Sequence, residues 1–219
     1  MLSLEGIVPP MLSCFDDSGN LDKSVTKEYV NYLIDGGVHG LFPCSTTGEF
    51  SSMNQTERKK LIEITVDEAA ERVPVLPGIG SSSIDNVYKS IRHLEQLGVD
   101  GCIVVTPYYL KPSQKGLFRF YKSLAEFTDL PIILYQIPET TGVHFSVETV
   151  VKLAQENENI VGLKDSSGDF KRFLDIKFKT NDEFCVFQGI DQLLLPSLKF
   201  GVSGGMCGSA SIKPEIPVR

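Results

Sequence analysis

The amino-acid sequence predicts an α/β fold, a (β/α)8 barrel, and a recurring joint is the first observation behind this prediction. The pattern Gly-Val-x-Gly begins at Gly37, Gly98 and Gly201, each time after an amphipathic segment and before a short apolar run. A glycine just past the last helical turn supplies the left-handed residue of a helix C-cap. Repeated helix-to-strand joints imply βα units, and therefore a parallel sheet with helices outside it.

The number of elements is the second observation. Apolar runs predict eight strands, near residues 7–12, 40–44, 75–78, 101–106, 131–135, 160–164, 184–188 and 204–207. Amphipathic patterns predict seven helices, over residues 22–36, 55–72, 84–98, 114–127, 146–156, 169–178 and 191–200. The 146–156 segment shows a typical helix start, with Ser146 at the N-cap and Glu148 in the first turn. Eight strands joined by seven helices favour a barrel over an open doubly wound sheet, and the first strand-to-helix turn lacks GxGxxG.

The end of the chain departs from this pattern. Residues 211–219, "SIKPEIPVR", resemble the first turn of an eighth helix, which a barrel normally uses to cover its last and first strands. We therefore expect residues 1–219 to form a single barrel domain that is truncated at its C-terminus.

Composition and charge favour a small-molecule substrate. The formal net charge is −7, so nucleic-acid backbones and anionic membrane surfaces would be repelled. No apolar run approaches the roughly 20 residues of a membrane span, and the N-terminal segment does not resemble a signal peptide, which predicts a cytoplasmic protein. The five cysteines have no CxxC spacing and are interpreted as reduced core thiols.

Two reactive side chains end neighbouring predicted strands, where barrel enzymes place their catalytic groups. Tyr135 ends one strand and Lys164 ends the next, so the two can meet in one barrel mouth. Burial disfavours the charged form of an amine, and a neutral amine can attack a ketone to form an iminium, with a phenol transferring the protons. The alternative is a lysine that extends to solvent or pairs with Asp165.

The stretch "STTGE", residues 45–49, adds a binding element. Thr46 and Thr47 stand at a strand-to-helix turn, where hydroxyl and N–H groups can hold a carboxylate. Thr46 could also hydrogen-bond Tyr135. A plain capping turn is the alternative for this motif alone, but together with Lys164 and Tyr135 the motif describes a site for a 2-oxo acid.

Four motifs resemble those of the dihydrodipicolinate synthase and N-acetylneuraminate lyase family: "STTGE" at 45–49, "TPYY" at 106–109, "YQIPETTG" at 135–142 and "GLKDSSGD" at 162–169. The resemblance implies a (β/α)8 barrel, a Schiff base between Lys164 and pyruvate, and no metal or organic cofactor. It implies that Tyr135 transfers protons and that Thr46 is its relay partner. It further implies a tetramer, in which Tyr109 completes the relay across a subunit contact. Thr46 and Thr47 would hold the pyruvate carboxylate, and backbone groups of Gly189 and Met206 would line the pocket.

Departures from the family pattern bear on the second substrate. Thr140 stands where the synthases have an arginine for the carboxylate of aspartate semialdehyde, so no guanidinium is available at that position. A hydroxyl suits a polyhydroxylated substrate, and we expect a 2-keto-3-deoxygluconate aldolase, acting on the free sugar acid or its 6-phosphate. The alternatives are 4-hydroxy-tetrahydrodipicolinate synthase and a non-catalytic barrel that binds a sugar acid. Ser45 and Gln136 replace the usual glycine and asparagine.

Other motifs carry less weight. His39, His93 and His144 lack metal-ligand spacing, and "GIGSSS" at 78–83 reads as a turn rather than a phosphate loop. "GVSGGMCGSA" at 201–210 lies where barrels often bind phosphate, although close backbone packing is the preferred interpretation.

Overall fold

The structure, a computed structural model, describes residues 4–218 and confirms the predicted barrel. The strands are β1 (Gly6–Ile7), β2 (Gly78–Ile79), β3 (Cys102–Val105), β4 (Ile132–Gln136), β5 (Ile160–Asp165), β6 (Cys185–Gln188) and β7 (Gly204–Gly205). All pairs are parallel, and the sheet runs in the order β1-β7-β6-β5-β4-β3-β2. The curled sheet places the C-terminal ends of all strands at one mouth.

The segment 40–44 closes the barrel but is not the regular strand that the sequence predicts. It makes two isolated parallel bridges, from Phe42 to Pro10 on the β1 side and from Leu41 to Val75 on the β2 side. A proline has no N–H to donate to a sheet ladder, and prolines occupy positions 9, 10, 43, 74 and 77. Their carbonyls still accept, as where Leu41 N–H donates to Pro74 O at 2.8 Å. The first three predicted strands are therefore shorter than expected.

The predicted helices are present with small shifts. They are α1 (Lys23–Asp35), α2 (Gln55–Ala69), α3 (Ile84–Leu97), α4 (Gln114–Ala125), α6 (Val147–Glu156), α7 (Phe170–Lys179) and α8 (Asp191–Lys199), with a short α5 (Pro138–Thr141) that was not predicted. The Ser146 side chain caps α6, as predicted, by accepting from Thr149 N–H. The predicted joints after α1, α3 and α8 have positive φ angles, at Gly37, Gly98 and Gly201. Helix α2 ends at Ala69, earlier than expected, because Ala70 adopts the left-handed conformation.

The C-terminal segment packs against the first helix. After β7 come a 3-10 turn (Gly208–Ser211) and the one-turn helix α9 (Glu215–Val218), which is the predicted start of a last helix; Arg219, the end of that prediction, lies outside the described residues. Tyr29 and Tyr32 of α1 donate their hydroxyl hydrogens to Ser211 O and Ile212 O, both at 2.7 Å. These two bonds hold the segment beside β1.

The interior is apolar and its thiols are free. Every residue of β3, β4, β5 and β6 is buried, as expected for strands covered on both faces. Cysteines 44, 102, 185 and 207 are buried and free, which confirms their interpretation as core thiols, and burial raises the pKa of Cys102 to about 12. Cys14 is also free but only partly buried, so the core interpretation is wrong for it. None of the helices within residues 4–218 is long and apolar enough to cross a membrane.

Candidate active site

Tyr135 and Lys164 lie side by side at the barrel mouth. They are partners in the β4–β5 register, so both side chains point to the same face of the sheet. Both residues are buried, with 3% of their surface exposed. The structure thus brings together the two reactive groups that the sequence predicts.

The Lys164 amine lies between two aromatic faces. Its Nζ atom is 4.4 Å from the centroid of the Tyr135 ring and 4.8 Å from that of Phe42. The two rings meet edge to face, with centroids 6.2 Å apart. Within residues 4–218 no carboxylate forms an ion pair with this amine, and no hydrogen bond to it is found. The amine is thus held against two aromatic faces, without a carboxylate partner among the described residues.

The neighbouring carboxylate turns away from the lysine. Asp165 follows Lys164 in β5, so its side chain points to the opposite face, into the layer between sheet and helices. It accepts hydrogen bonds from Gln136 Nε2 at 2.6 Å and from Ser167 N–H at 2.7 Å. Burial, as the largest cause, raises the pKa of the Asp165 carboxyl above its ordinary value. The alternative in which Lys164 is paired with Asp165 is therefore wrong.

The predicted contact between Thr46 and Tyr135 is present. Thr46 Oγ1 and the Tyr135 hydroxyl oxygen are 3.3 Å apart, and either can be the donor. Thr46 is half-buried and Thr47 is exposed, so both threonines have surface available to a ligand at this turn. The phenol thus has a hydroxyl partner on one side and the Lys164 amine against its ring.

Ser45 anchors the threonine turn to the barrel. Its hydroxyl donates to Met11 O at 3.0 Å and accepts from Gly48 N–H at 3.0 Å, and the residue is 1% exposed. A Cβ atom at Gly48 would come within 2.4 Å of Met11 O, so only glycine fits this approach of turn and strand. The serine that stands in place of the usual glycine thus ties the threonine turn to the Met11 backbone through these two hydrogen bonds, which we call the Ser45 staple. The sequence interpretation missed this contact.

A cavity of about 250 Å³ opens beside the threonine turn. Its walls include Thr46, Phe50, Tyr108, Tyr109, Ile137 and Thr140. Thr140 reaches it from α5, the short helix that follows β4. Tyr109 is 89% exposed and has a φ of 74°, so its ring is free for a contact outside this chain. Lys164 is not part of this wall, and Tyr135 connects to it through Thr46.

The loops after β6 and β7 supply backbone to the same mouth. Gly189 N–H donates to Asp165 O at 2.8 Å, and Met206 N–H donates to Gln188 O at 2.8 Å. The Asp191 carboxylate accepts from Ser209 N–H at 3.0 Å, at the turn that was considered for a phosphate. A carboxylate already bound there repels a phosphate, which agrees with the preferred packing interpretation of residues 201–210.

Sequence reasoning missed Phe42 as part of the site. Phe42 belongs to the closing segment 40–44, and its ring forms the second face against the Lys164 amine. An apolar residue in an apolar run has no signal that separates a site wall from ordinary core. Its role became visible only when the barrel placed that segment opposite β5.

Comparisons with known proteins agree with this geometry. Residues 3–218 match the model of the dihydrodipicolinate synthetase family. The chain is 40% identical over 221 residues to a probable 2-dehydro-3-deoxy-D-pentonate aldolase of Escherichia coli K12, covering 100% of this chain and 73% of that protein. It is 39% identical over 219 residues to a 4-hydroxy-tetrahydrodipicolinate synthase of Methanopyrus kandleri, covering 98% of this chain and 72% of that protein. A 2-keto 3-deoxygluconate aldolase structure from Picrophilus torridus superposes with a TM-score of 0.91 at 35% identity, covering 95% of this chain and 75% of that one.

The Ser45 staple predicts a measurable stability difference. Replacing Ser45 by alanine leaves Gly48 N–H and Met11 O without that partner, and we expect a loss of about 1–3 kcal/mol in the free energy of unfolding. Urea unfolding followed by circular dichroism measures this loss. Ser52→Ala is the control, because Ser52 is exposed and ends the short 3-10 helix that follows the same turn. This substitution should change stability by less than about 0.5 kcal/mol. Equal effects of the two substitutions would contradict the staple.

Proposed function

The chain belongs to the dihydrodipicolinate synthetase family, and from this membership we propose that Lys164 forms a Schiff base with pyruvate. Enzymes of this family form or break carbon–carbon bonds through such an adduct, so the chain is an aldolase-type lyase. The observation that carries the assignment to Lys164 is its buried amine, held against the Tyr135 ring without a carboxylate partner. Membership in a family of enzymes argues against a non-catalytic sugar-acid-binding barrel.

The chemistry needs one nucleophile and one proton carrier. The neutral Lys164 amine attacks C2 of pyruvate, and the Tyr135 hydroxyl transfers the protons that let water leave the carbinolamine. The resulting iminium draws electrons from C3, which loses a proton and becomes an enamine. The enamine carbon attacks the aldehyde carbonyl, whose oxygen takes up one proton to become a hydroxyl group. Water then hydrolyses the new iminium and restores the amine. Cleavage of a 2-keto acid is the reverse sequence.

The remaining predicted residues have roles in binding. Thr46 and Thr47 would hold the pyruvate carboxylate with hydroxyl and N–H groups. The N–H groups of Gly189 and Met206 are already bonded within the barrel, so their carbonyl groups are the remaining backbone candidates for contact with the ligand. The exposed Tyr109 ring suits a relay across a subunit contact, and a tetramer and a cytoplasmic location remain predictions.

For the second substrate we propose the aldehyde that is released when a 2-keto-3-deoxy sugar acid is cleaved, with glyceraldehyde as the leading case. The described residues that line the 250 Å³ cavity carry no positive charge, and Thr140 presents a hydroxyl there. A hydroxyl can bind sugar hydroxyls but gives no bidentate grip on a carboxylate. Two relatives support this choice: a probable 2-dehydro-3-deoxy-D-pentonate aldolase at 40% identity and a 2-keto 3-deoxygluconate aldolase at 35% identity. The synthase that joins pyruvate to aspartate semialdehyde is the alternative, supported by the Methanopyrus relative.

Trapping the adduct tests the assignment to Lys164. Incubation with pyruvate and borohydride should reduce the iminium and leave a stable modification on the peptide that contains Lys164, which peptide mass spectrometry detects. Lys164→Ala should lose both the modification and turnover, whereas Lys152→Ala, which removes an exposed lysine of α6, should keep both. An unmodified Lys164 in the active wild-type enzyme would disprove this assignment.

A comparison of aldehydes tests the second substrate. With pyruvate saturating, we expect kcat/KM for glyceraldehyde to exceed that for aspartate semialdehyde by at least tenfold. Thr140→Arg places a guanidinium at the cavity wall and should shift this ratio by about tenfold or more toward aspartate semialdehyde. The conservative Thr140→Ser keeps the hydroxyl and should leave the ratio within about threefold. A wild-type preference for aspartate semialdehyde would instead favour the synthase.

A further inference from the structure

A row of three buried polar side chains lies one residue beyond the Tyr135 and Lys164 pair. Gln136, Asp165 and Gln188 are register partners across β4, β5 and β6, and each is at most 2% exposed. Because successive strand residues face opposite sides, this polar row points into the sheet-to-helix layer while Tyr135 and Lys164 point into the barrel. Buried polar groups are costly unless they are bonded, so their partners indicate what they hold.

Each member of the polar row binds the chain that follows its own strand. Gln136 Oε1 accepts from Phe145 N–H at 2.8 Å, and Asp165 Oδ1 accepts from Ser167 N–H at 2.7 Å. Gln188 Oε1 accepts from Ile190 N–H at 3.0 Å. The polar row therefore fixes three consecutive strand-to-helix connections at the barrel mouth.

One bond within the polar row joins two strands. Gln136 Nε2 donates to Asp165 Oδ2 at 2.6 Å, and Ser166 N–H donates to Gln136 O at 3.0 Å. Gln136 and Asp165 directly follow the proposed catalytic groups, so this bond links β4 and β5 next to Tyr135 and Lys164. Gln188 donates instead to Ser197 Oγ of helix α8, at 2.9 Å, and the residue before it, Phe187, is the register partner of Lys164. Gln188 is therefore buried and bonded like Gln136, but its amide does not link β4 to β5.

We propose that Gln136 and Asp165 are positioning residues, whose buried hydrogen bond across β4 and β5 aligns the Tyr135 hydroxyl with the Lys164 amine. The inference rests on the proposed Schiff-base function. Neither side chain touches the reacting atoms, because both point away from the barrel interior. Loss of this bond therefore slows the chemical step more than it weakens pyruvate binding.

A matched pair of variants separates positioning from plain stability. Gln136→Met and Gln188→Met each remove a buried amide with one donated and one accepted bond, and methionine keeps a similar volume. Thermal unfolding should show comparable losses for the two. At saturating pyruvate, the rate at which the borohydride-trappable adduct forms should fall at least tenfold in Gln136→Met. In Gln188→Met this rate should stay within about threefold of the wild-type rate. The pyruvate KM of Gln136→Met should change less than threefold.

A second variant guards against a failure to fold. Both partners of the Asp165 carboxylate are donors, so Asp165→Asn can satisfy only one of them and should also lower the rate of adduct formation. Equal rates for the two methionine variants, or a normal rate in Asp165→Asn, would overturn the positioning role while leaving the Schiff base intact. Failure of the wild-type enzyme to form any adduct at Lys164 would overturn the proposed function instead.

Discussion

The burial of one amine without a counter-ion is the constraint on which the rest of the site depends. Lys164 is almost fully buried, and the carboxylate of the next residue in the sequence, Asp165, is bound on the other face of the strand. The contacts of Lys164 with aromatic faces return only about 0.5–2 kcal/mol, and no ion pair or hydrogen bond within the described residues adds to them. Such a position stabilises the fold poorly. The proposed nucleophilic role of Lys164 gives a reason for a lysine among these apolar and aromatic side chains.

Successive side chains of a β-strand point to opposite faces, and this separates the proposed reactive groups from the groups that position them. Tyr135 and Lys164 face the barrel, and their successors Gln136 and Asp165 face the helices, so reactive groups and the groups that hold them are adjacent in sequence but separated in space. Ser45 plays a comparable part for the threonine turn, where it joins Met11 to Gly48. Each of these segments carries proposed site residues at the barrel mouth, and a buried polar side chain hydrogen-bonds it to the rest of the barrel.

Local signals in the sequence predicted the helices and the reactive pair well. Caps such as Ser146 and the glycines after α1 and α3 act within a few residues, so they are visible in the sequence itself. The sequence predicts a regular strand at 40–44, but the segment makes only isolated bridges because prolines in the neighbouring segments interrupt the ladder. Which segments become its neighbours depends on strand pairing, which the local sequence does not show. The Ser45 staple and the Gln136–Asp165 bond join residues 34 and 29 positions apart, and Phe42 reaches Lys164 only after the barrel closes. No single-sequence pattern carries such information.

A crystal structure of the enzyme soaked in pyruvate would show directly whether the adduct forms on Lys164. We expect continuous electron density from Lys164 Nζ to C2 of pyruvate, with the carboxylate at Thr46 and Thr47 and the Tyr135 hydroxyl beside the new bond. Pyruvate bound elsewhere, or a Lys164 amine turned out of the barrel and left unmodified at full pyruvate occupancy, would contradict this expectation.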